Sequence, residues 1–152
     1  MQPTNPIRIQ LVDDHTVVRS ALRMLIENHP GLRVVGEAAN GPQALALAET
    51  EQPDIVLLDL ALGEESGLDL LPRLRSVAEQ ARVILLTGVR DPEQHRRAVR
   101  QGAMGVVLKE EAAQVLLEAI EKVHAGQVWL DPPMVASMLG ELSRPQQAEK
   151  PD

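Results

Sequence analysis

The chain has no cysteine, tyrosine or phenylalanine among its 152 residues, and Trp129 is its single aromatic residue. The lack of cysteine excludes disulfide bonds and thiolate metal sites. The lack of aromatic rings nearly excludes stacking on bases or sugars, and any core must therefore be aliphatic. No spacing typical of zinc ligands occurs among the four histidines, which are His15, His29, His95 and His124.

Basic residues are also few, with 15 lysines and arginines against 22 aspartates and glutamates and a formal net charge of −7. A nucleic-acid binder normally needs a basic face that displaces counterions, so we expect DNA contact only through residues outside this sequence. No apolar run approaches the roughly 18 residues of a membrane span, and residues 1–6 lack a signal-peptide pattern. We therefore expect a cytoplasmic protein with no membrane role.

Five short apolar runs alternate with segments of helical period. The runs are residues 7–12, 34–35, 55–58, 83–86 and 104–108. Such runs are typical of buried strands, and strands that alternate with helices require a parallel sheet with right-handed crossovers. Five repeats of this unit predict a flavodoxin-like α/β sandwich, and 152 residues suit one such domain with a short appendage.

Three of the helical segments differ in the packing that the sequence predicts for them. Pro72 lies early in the helix after the third strand, so we expect weakened or kinked first turns unless that helix starts late. The helix opened by residues 91–93 has only Ala98 and Val99 as clearly apolar residues, so we expect it to be loosely held. Residues 112–123 have the strongest apolar stripe and are expected to face the core.

Gly126 ends the last predicted helix of the sandwich and sets the expected domain boundary. Residues 1–126 form the predicted domain, and residues 127–152 are expected to be a linker. Within the linker, residues 131–142 have a short amphipathic pattern, which is expected to pack on the domain or to pair with a second copy. Residues 143–152 are polar, contain two prolines and are expected to be disordered.

Polar residues follow the carboxyl ends of four of the five predicted strands. Ligands of open α/β sheets bind outside this edge, so we expect these side chains to gather in one site. Each of them alone has an ordinary interpretation as a helix cap or a surface residue, but their joint placement favours a function. The residues are Asp13, Asp14, Asp59, Thr87 and Lys109.

Three carboxylates in one site repel one another and need a cation. At about 4 Å and an effective dielectric constant near 20, each pair costs on the order of 4 kcal/mol. Mg²⁺ is suited to this site because it takes one or two carboxylates together with phosphate oxygens. Asp59 is the expected nucleophile, because it stands alone after the most apolar strand, while Asp13 and Asp14 are paired as metal ligands. Lys109 and the Thr87 hydroxyl are expected to contact phosphoryl oxygens, and their strand ends to shift when the group arrives.

These residues lie in segments that resemble the receiver domain of two-component response regulators, in the NarL/FixJ-type or LuxR-type subfamily, over about residues 7–125. The segments are VDDHTVVR at 12–19, DIVLLDL at 54–60, SGL at 66–68 and GAMG at 102–105, the last of which leads to Lys109. The resemblance implies a CheY-like, doubly wound sheet of five parallel strands in the order 2-1-3-4-5.

The resemblance also implies what the site residues do. Asp59 would accept a phosphoryl group from a sensor histidine kinase, and Thr87 and Lys109 would be the switch and phosphate-contacting residues. The chain would then be a phosphoacceptor that assists its own phosphoryl transfer and dephosphorylation, and not an enzyme. The residues that would hold Mg²⁺ are Asp13, Asp14, Asp59 and, through its backbone carbonyl, Ala61.

The output that the resemblance implies is regulation of transcription through a C-terminal helix-turn-helix domain that is not in this chain. Residues 126–142 resemble the start of the linker to that domain. A homodimer that depends on phosphorylation is also implied, formed by the last strand and its flanking helices or by the first and last helices. The arginine cluster at 96–100 is expected to be solvated, or to pair with Glu110 or Glu111 of a second copy.

Four positions depart from the pattern usual in the family. Leu62-Gly63 replaces a Met-Pro pair and loosens the turn beside the site. Ala61 places no side chain over the phosphoryl group, which leaves the lifetime of the phosphate open. Gly88 stands where alanine is commoner. Val106 stands where many receivers carry an aromatic residue that swings inward, so a readout through that ring is not expected.

Three other functions are compatible with parts of the pattern. A phosphohydrolase of the haloacid dehalogenase type would need a second acid where Ala61 stands. A flavodoxin-type flavin binder would cradle phosphate in the first loop, where Asp13 and Asp14 would repel it without a metal. A receiver that acts only through protein contacts stays open as the alternative.

Overall fold

The computed structural model describes residues 5–143, in which strands and helices alternate along the chain. The strands are β1 Ile7–Val12, β2 Leu32–Ala38, β3 Ile55–Leu58, β4 Ala61–Leu62, β5 Glu65–Ser66, β6 Arg82–Thr87 and β7 Gly105–Leu108. The helices are α1 Thr16–Glu27, α2 Gly41–Glu51, α3 Gly67–Val77, α4 Pro92–Arg100, α5 Ala112–His124 and α6 Pro132–Ser143, with a 3₁₀ turn Lys109–Glu111 before α5.

Five strands form one parallel sheet in the order β2-β1-β3-β6-β7. Strands β4 and β5 pair only with each other, as a short antiparallel hairpin. When that hairpin is set aside, the order is 2-1-3-4-5, and the predicted flavodoxin-like, CheY-like topology is confirmed. The order follows from right-handed crossovers that begin at a central strand and reverse direction once.

The sheet separates two aliphatic cores, one for each layer of helices. Helices α1 and α5 cover one face, where Ile26 and Leu116 are fully buried against strand residues. Helices α2, α3 and α4 cover the other face, where Leu71 and Leu74 lie in the core. Strand β3 is buried along its whole length because it lies between both layers.

Two helices on the second face begin with side-chain caps of the expected kind. Asn40 accepts a hydrogen bond from the backbone amide of Gln43 at 2.9 Å, and Pro42 follows in the first turn of α2. Asp91 caps α4 in the same way, by accepting from the amide of Glu93 at 3.0 Å. These caps fix the starts of α2 and α4 at the sheet edge where the β-strands end.

The sequence prediction of the strands was incomplete in two places. Strand β2 extends over Leu32–Ala38 and not only over residues 34–35, because this edge strand also includes exposed and half-buried polar residues that break the apolar run. The β4–β5 hairpin was not predicted, since strands of two residues leave no periodic signal. Gly63 lies in its turn with φ 64°, and a positive φ at the first central residue is typical of a type II′ turn.

Helix α3 runs through Pro72 without a break, so the expected weak first turns are not found. Proline removes one hydrogen bond, the one to the carbonyl four residues earlier. Ser66 compensates at the start of the helix by accepting from the Leu68 amide at 3.1 Å. Burial of Leu71 and Leu74 holds the helix against the sheet, so tertiary packing outweighs the local cost of the proline.

The segment after α5 packs on the sandwich. Trp129 forms an isolated bridge to Gly105, and its backbone exchanges hydrogen bonds with Met104 and Val106 on the outer edge of β7. Helix α6 then packs against α4, which is the first of the two expected arrangements for it. The predicted disordered tail lies outside the described residues, apart from Ser143. None of the helices within residues 5–143 is long and apolar enough to cross a bilayer.

Candidate functional site

The strand register brings the candidate residues to one edge of the sheet. Val12 pairs with Leu58 across β1 and β3, so Asp13 and Asp59 follow aligned strand ends. Thr87, the last residue of β6, pairs with Leu108, and Lys109 follows directly. The five residues singled out from the sequence therefore all lie at the carboxyl edge of the four strands β1, β3, β6 and β7.

Lys109 links two carboxylates that come from different strands. Its Nζ lies 2.8 Å from Oδ2 of Asp13 and 2.8 Å from Oδ2 of Asp59. The side chains of both aspartates are almost fully buried, with exposed fractions of 4% and 3%. One ammonium group thus neutralises part of the charge of two carboxylates that are held away from water. This ion pairing offsets part of the desolvation penalty of burying them.

The same contacts move the three pKa values in different directions. Burial raises the pKa of Asp59 above its usual value, and this outweighs the hydrogen bond and the charge of Lys109. Burial also acts to raise the pKa of Asp13, but hydrogen bonds from Lys109 and from the His15 backbone outweigh it, so the pKa is lowered. Burial acts to lower the pKa of Lys109, yet the two carboxylates together raise it. Lys109 is therefore held in the charged form.

Asp14 is the part of the cluster that best fits a divalent cation. Its Oδ1 is buried and accepts no hydrogen bond within the described part of the chain, although His15 Nδ1 lies 3.2 Å away. Ligand atoms of Asp13, Asp14, His15 and Asp59 all lie within 4.8 Å of one another. An orphaned carboxylate oxygen beside two further carboxylates is the donor set that Mg²⁺ takes, so the residues fit the ion that the sequence predicted.

Thr87 is fully buried at the end of β6. Its hydroxyl oxygen accepts a hydrogen bond of 3.0 Å from the backbone amide of Val89. The Val89 carbonyl in turn lies 2.7 Å from Nε2 of His95 on α4. A change in the partner of the Thr87 hydroxyl is therefore coupled to the position of the loop that leads into α4.

The backbone around Asp59 is held by a close approach of Gly67. A Cβ atom at Gly67 would lie 2.3 Å from the carbonyl oxygen of Asp59, which no side chain allows. The Gly67 amide donates to the Leu60 carbonyl at 2.7 Å, and the Ala61 amide donates to Oδ1 of Asp59 at 3.3 Å. These contacts orient the Asp59 side chain, while the role of the Ala61 carbonyl as a metal ligand stays a prediction.

The departure from the family pattern at Leu62-Gly63 has a structural reason. Gly63 has φ 64°, whereas proline requires φ near −65°. A Met-Pro pair therefore does not fit the β4–β5 turn. The carboxylate of Glu65, on the second strand of the hairpin, accepts from the Gly41 amide at 2.6 Å and ties the hairpin to the start of α2. The turn beside Asp59 is thus anchored.

Two histidines that were not predicted as site residues lie next to candidate residues in the fold. His15 contacts the carboxylates of Asp13 and Asp14, and its position directly after them was the available signal. His95 is buried on the otherwise polar helix α4 and lines a cavity of about 390 Å³ with Trp129 and Met134. Trp129 and Met134 belong to the segment after α5, so no local sequence pattern pointed to the cavity that they share with His95.

The arginine cluster of α4 is used within the chain. Arg96 and Arg100 both pair with Glu93, and Arg100 also reaches Glu141 of α6 at 3.0 Å. Hydrogen bonds from Arg96 and Arg100 lower the pKa of the exposed Glu93. Glu110, an expected partner for these arginines in a second copy, pairs with Arg90 within this chain, and the pairing between copies stays a prediction.

A fold of this order with acidic residues, threonine and lysine at one sheet edge defines the receiver class of signalling domains. Comparison with protein families agrees, because the response regulator receiver domain matches residues 9–121. The chain belongs to the response regulator receiver domain family.

Relatives of known sequence are NarL-type and LuxR-type regulators. The chain is 36% identical over 130 residues to the nitrate/nitrite response regulator protein NarL of Escherichia coli K12, covering 86% of this chain and 60% of NarL. It thus spans about three fifths of that relative's length. A two-component response regulator of the LuxR family from Aurantimonas sp. SI85-9A1 superposes with a TM-score of 0.80 at 34% identity, covering 92% of this chain and all of that one.

One structural neighbour was solved with a phosphorylated aspartic acid. A response regulator from Burkholderia pseudomallei with a phosphorylated aspartic acid, a calcium ion and citrate superposes with a TM-score of 0.69 at 27% identity. The superposition covers 91% of this chain and 75% of that one. The fold is therefore compatible with an aspartyl phosphate and a divalent cation in a related chain.

Proposed function

We propose that this domain is a phosphorylation-dependent switch in which Asp59 accepts a phosphoryl group from a sensor histidine kinase. The observation that carries the proposal is the position of the Asp59 carboxylate. It is buried, lies 2.8 Å from the Lys109 ammonium and belongs to a group of ligand atoms within 4.8 Å of one another. The phosphorylated aspartic acid of the Burkholderia pseudomallei neighbour supports the same chemistry.

In the proposed step, a carboxylate oxygen of Asp59 attacks phosphorus. The new O–P bond forms as the P–N bond of a phosphohistidine breaks, and the leaving imidazole takes up a proton. Mg²⁺ would neutralise charge on the phosphoryl oxygens when it is bound. Asp13, Asp14 and Asp59 would hold that ion, with the Ala61 carbonyl as a further ligand, and Gly67 keeps the Asp59 backbone in place. The phosphoryl group is transferred to the domain's own side chain, so the domain is proposed to be a phosphoacceptor that assists its own phosphoryl transfer and dephosphorylation, and not an enzyme.

Lys109 and Thr87 would turn the added charge into a change of surface. A phosphoryl group on Asp59 offers Lys109 new oxygens in exchange for its present contacts with Asp13 and Asp59. It also offers the Thr87 hydroxyl an acceptor that competes with its contact to Val89. Recruitment of Thr87 would release the loop that leads into α4, and α4 packs on α6.

Acetyl phosphate with Mg²⁺ tests the acceptor directly. The expected result is one phosphoryl adduct by intact-mass analysis of the wild-type protein, absent in the presence of EDTA. Asp59→Asn is expected to abolish the adduct. Asp54→Asn is the matched control, because Asp54 flanks the other end of β3, where it accepts from the Arg8 amide, and its adduct should be unchanged. An adduct of equal yield in Asp59→Asn would contradict the proposal.

The proposed output is regulation of transcription through a DNA-binding domain. That domain would correspond to the part of the relatives' length that this chain does not match. The matched Escherichia coli protein is a nitrate/nitrite response regulator of greater length. A cytoplasmic location belongs to the same proposal, because that is where a kinase, Mg²⁺ and DNA are all accessible. DNA-binding assays on a chain extended to the relatives' length, with and without phosphorylation, test this part.

A phosphorylation-dependent homodimer is the proposed means by which the switch acts. Helix α1 supports it with two apolar side chains that are largely exposed, Val17 at 80% and Met24 at 75%. Size-exclusion chromatography with and without beryllofluoride tests it, and the expected result is an earlier elution with the phosphoryl mimic. An unchanged elution volume while the mimic is bound would instead favour a switch that acts through other protein contacts.

A further inference from the structure

The His15 side chain does not cap the helix that it begins, and its Nδ1 is hydrogen-bonded instead to Asp13 Oδ1 at 3.0 Å. His15 is the N-cap residue of α1, where a serine, threonine, aspartate or asparagine side chain would bond a free amide. The His15 ring makes no such capping bond. It turns instead toward the acidic residues that precede it, with Nδ1 at 3.0 Å from Asp13 Oδ1 and at 3.2 Å from Asp14 Oδ1.

The backbone fixes the ring in this place. The His15 amide donates to Asp13 Oδ1 at 2.8 Å, which forms a tight turn over the carboxylate. The His15 carbonyl accepts from the Arg19 amide at 3.0 Å as the first bond of α1. Both the amide and the carbonyl of His15 are therefore hydrogen-bonded, although 61% of its side chain is exposed.

The distances around Nδ1 suit a shared metal ion. Neighbouring ligands of an octahedral ion at about 2.1 Å are separated by √2 times that distance, or about 3.0 Å. The two separations of Nδ1 from carboxylate oxygens, 3.0 and 3.2 Å, are close to this value. Asp14 Oδ1 has no hydrogen-bond donor among the described residues, so a cation placed between it and Nδ1 would meet a free acceptor.

We propose that His15 is a nitrogen ligand of the cation held by Asp13, Asp14 and Asp59, and that it makes the site prefer Mn²⁺ and Co²⁺ over Mg²⁺. The inference rests on the proposed function and specifies its metal site. Imidazole nitrogen binds first-row transition ions well, whereas Mg²⁺ prefers oxygen ligands and water. The neutral ring would bind through Nδ1 and carry its proton on Nε2.

Electron spin-echo spectroscopy of bound Mn²⁺ tests the ligand itself. The expected result for the wild-type protein is a modulation from a directly bound nitrogen, which changes on labelling histidine with ¹⁵N. His15→Asn is expected to lose this modulation and to remain folded, because asparagine is among the best N-cap residues. His124→Asn is the matched control, an exposed histidine at the end of α5, and should keep the modulation.

Ion affinities provide the second measurement. Competition of Mg²⁺ against Mn²⁺ can be measured through the signal of free Mn²⁺. We expect His15→Asn to weaken Mn²⁺ binding by about tenfold or more and to change Mg²⁺ binding far less. Bound Mn²⁺ without nitrogen modulation, or an unchanged Mn²⁺ to Mg²⁺ ratio in His15→Asn, would overturn the inference and leave phosphorylation of Asp59 standing. Failure of the wild-type protein to bind either ion or to form the adduct would overturn both.

Discussion

Lys109 is the residue on which the balance of charge in the site depends. It contacts Asp13 and Asp59, which leaves Asp14 without a lysine partner. Three carboxylates share one ammonium group, so two negative charges of the site are not matched by a lysine or arginine among the described residues. A site built to bind a cation and a phosphoryl group is expected to lower the stability of the protein while neither is bound.

Asp14→Asn is expected to stabilise the ion-free protein. It removes one of three neighbouring carboxylates, and the gain should be about 1 kcal/mol, since Asp14 is partly exposed and solvent screens its charge. Urea unfolding in EDTA measures the gain, and Mg²⁺ titration should show weaker binding. Glu64→Gln, an exposed acidic residue in the nearby hairpin turn, is the control and should change stability by less than about 0.5 kcal/mol. Destabilisation by Asp14→Asn would contradict the repulsion argument.

Lys109→Gln is expected to have the opposite effect. Removing the ammonium leaves two buried carboxylates together, and we expect a loss of about 2–3 kcal/mol in urea unfolding at neutral pH. Lys109 is the main cause that lowers the pKa of Asp13 in the folded protein. The ionised Asp13 therefore stabilises the folded protein above the pKa of an unfolded aspartate, and this stabilisation is lost as pH falls through the pKa of Asp13 in the folded protein. The difference in free energy of unfolding between the wild-type protein and Lys109→Gln should therefore decrease in acid. A difference that increases as pH falls would show that Lys109 does not stabilise the ionised carboxylates.

Among the elements, the β4–β5 hairpin contains Leu62-Gly63, one of the departures from the pattern usual in the family. Its turn depends on Gly63 at φ 64°, and its second strand is tied to α2 through Glu65. The hairpin follows Asp59 closely, so it lies beside the proposed phosphoryl site.

Gly63→Pro, which introduces the proline common in the family, is expected to destabilise the protein by more than Gly63→Ala does. An alanine in the left-handed region costs about 1–2 kcal/mol, whereas proline cannot adopt a positive φ at all and must distort the turn. Thermal unfolding of the two variants measures the order. Equal stability of Gly63→Pro and the wild-type protein would show that the turn is not needed in this conformation.

Met134 is the buried side chain among the described residues of helix α6, and we expect it to hold the helix to the sandwich more strongly than the ion pair does. Met134 is 7% exposed and lines the cavity with His95 and Trp129, whereas the Arg100–Glu141 pair is substantially exposed. Met134→Ala is therefore expected to speed hydrogen exchange of α6 amides by about tenfold or more, since such truncations cost about 2–5 kcal/mol. Arg100→Ala, the control, should cost less than about 1 kcal/mol. Equal effects of the two variants would contradict this assignment.

Over the whole molecule, the sequence was sufficient to predict the central strands of the sheet because these are buried along most of their length. Uninterrupted runs such as residues 55–58 are a strong signal, and their carboxyl ends locate Asp59 and the other candidate residues at one edge. Strand order followed from the family resemblance, and the structure confirms it.

The remaining features depend on contacts between distant parts of the chain. The cavity beside His95 is lined in part by Trp129 and Met134, which come from a segment after α5. Helix α3 continues through Pro72 because its neighbours are buried, which no local pattern reports. The side chain of His15 is placed by a turn on Asp13, so its proximity to the carboxylates could be suspected from the sequence but not its distances.

Trapping of the modified residue tests the central claim most directly. Borohydride reduces an aspartyl phosphate to homoserine, and peptide mapping then identifies the position that carried the group. After treatment with acetyl phosphate and Mg²⁺, the account predicts homoserine at position 59 and an intact aspartate at positions 13 and 14. Homoserine at another position, or at none while the ion is bound, would contradict the account.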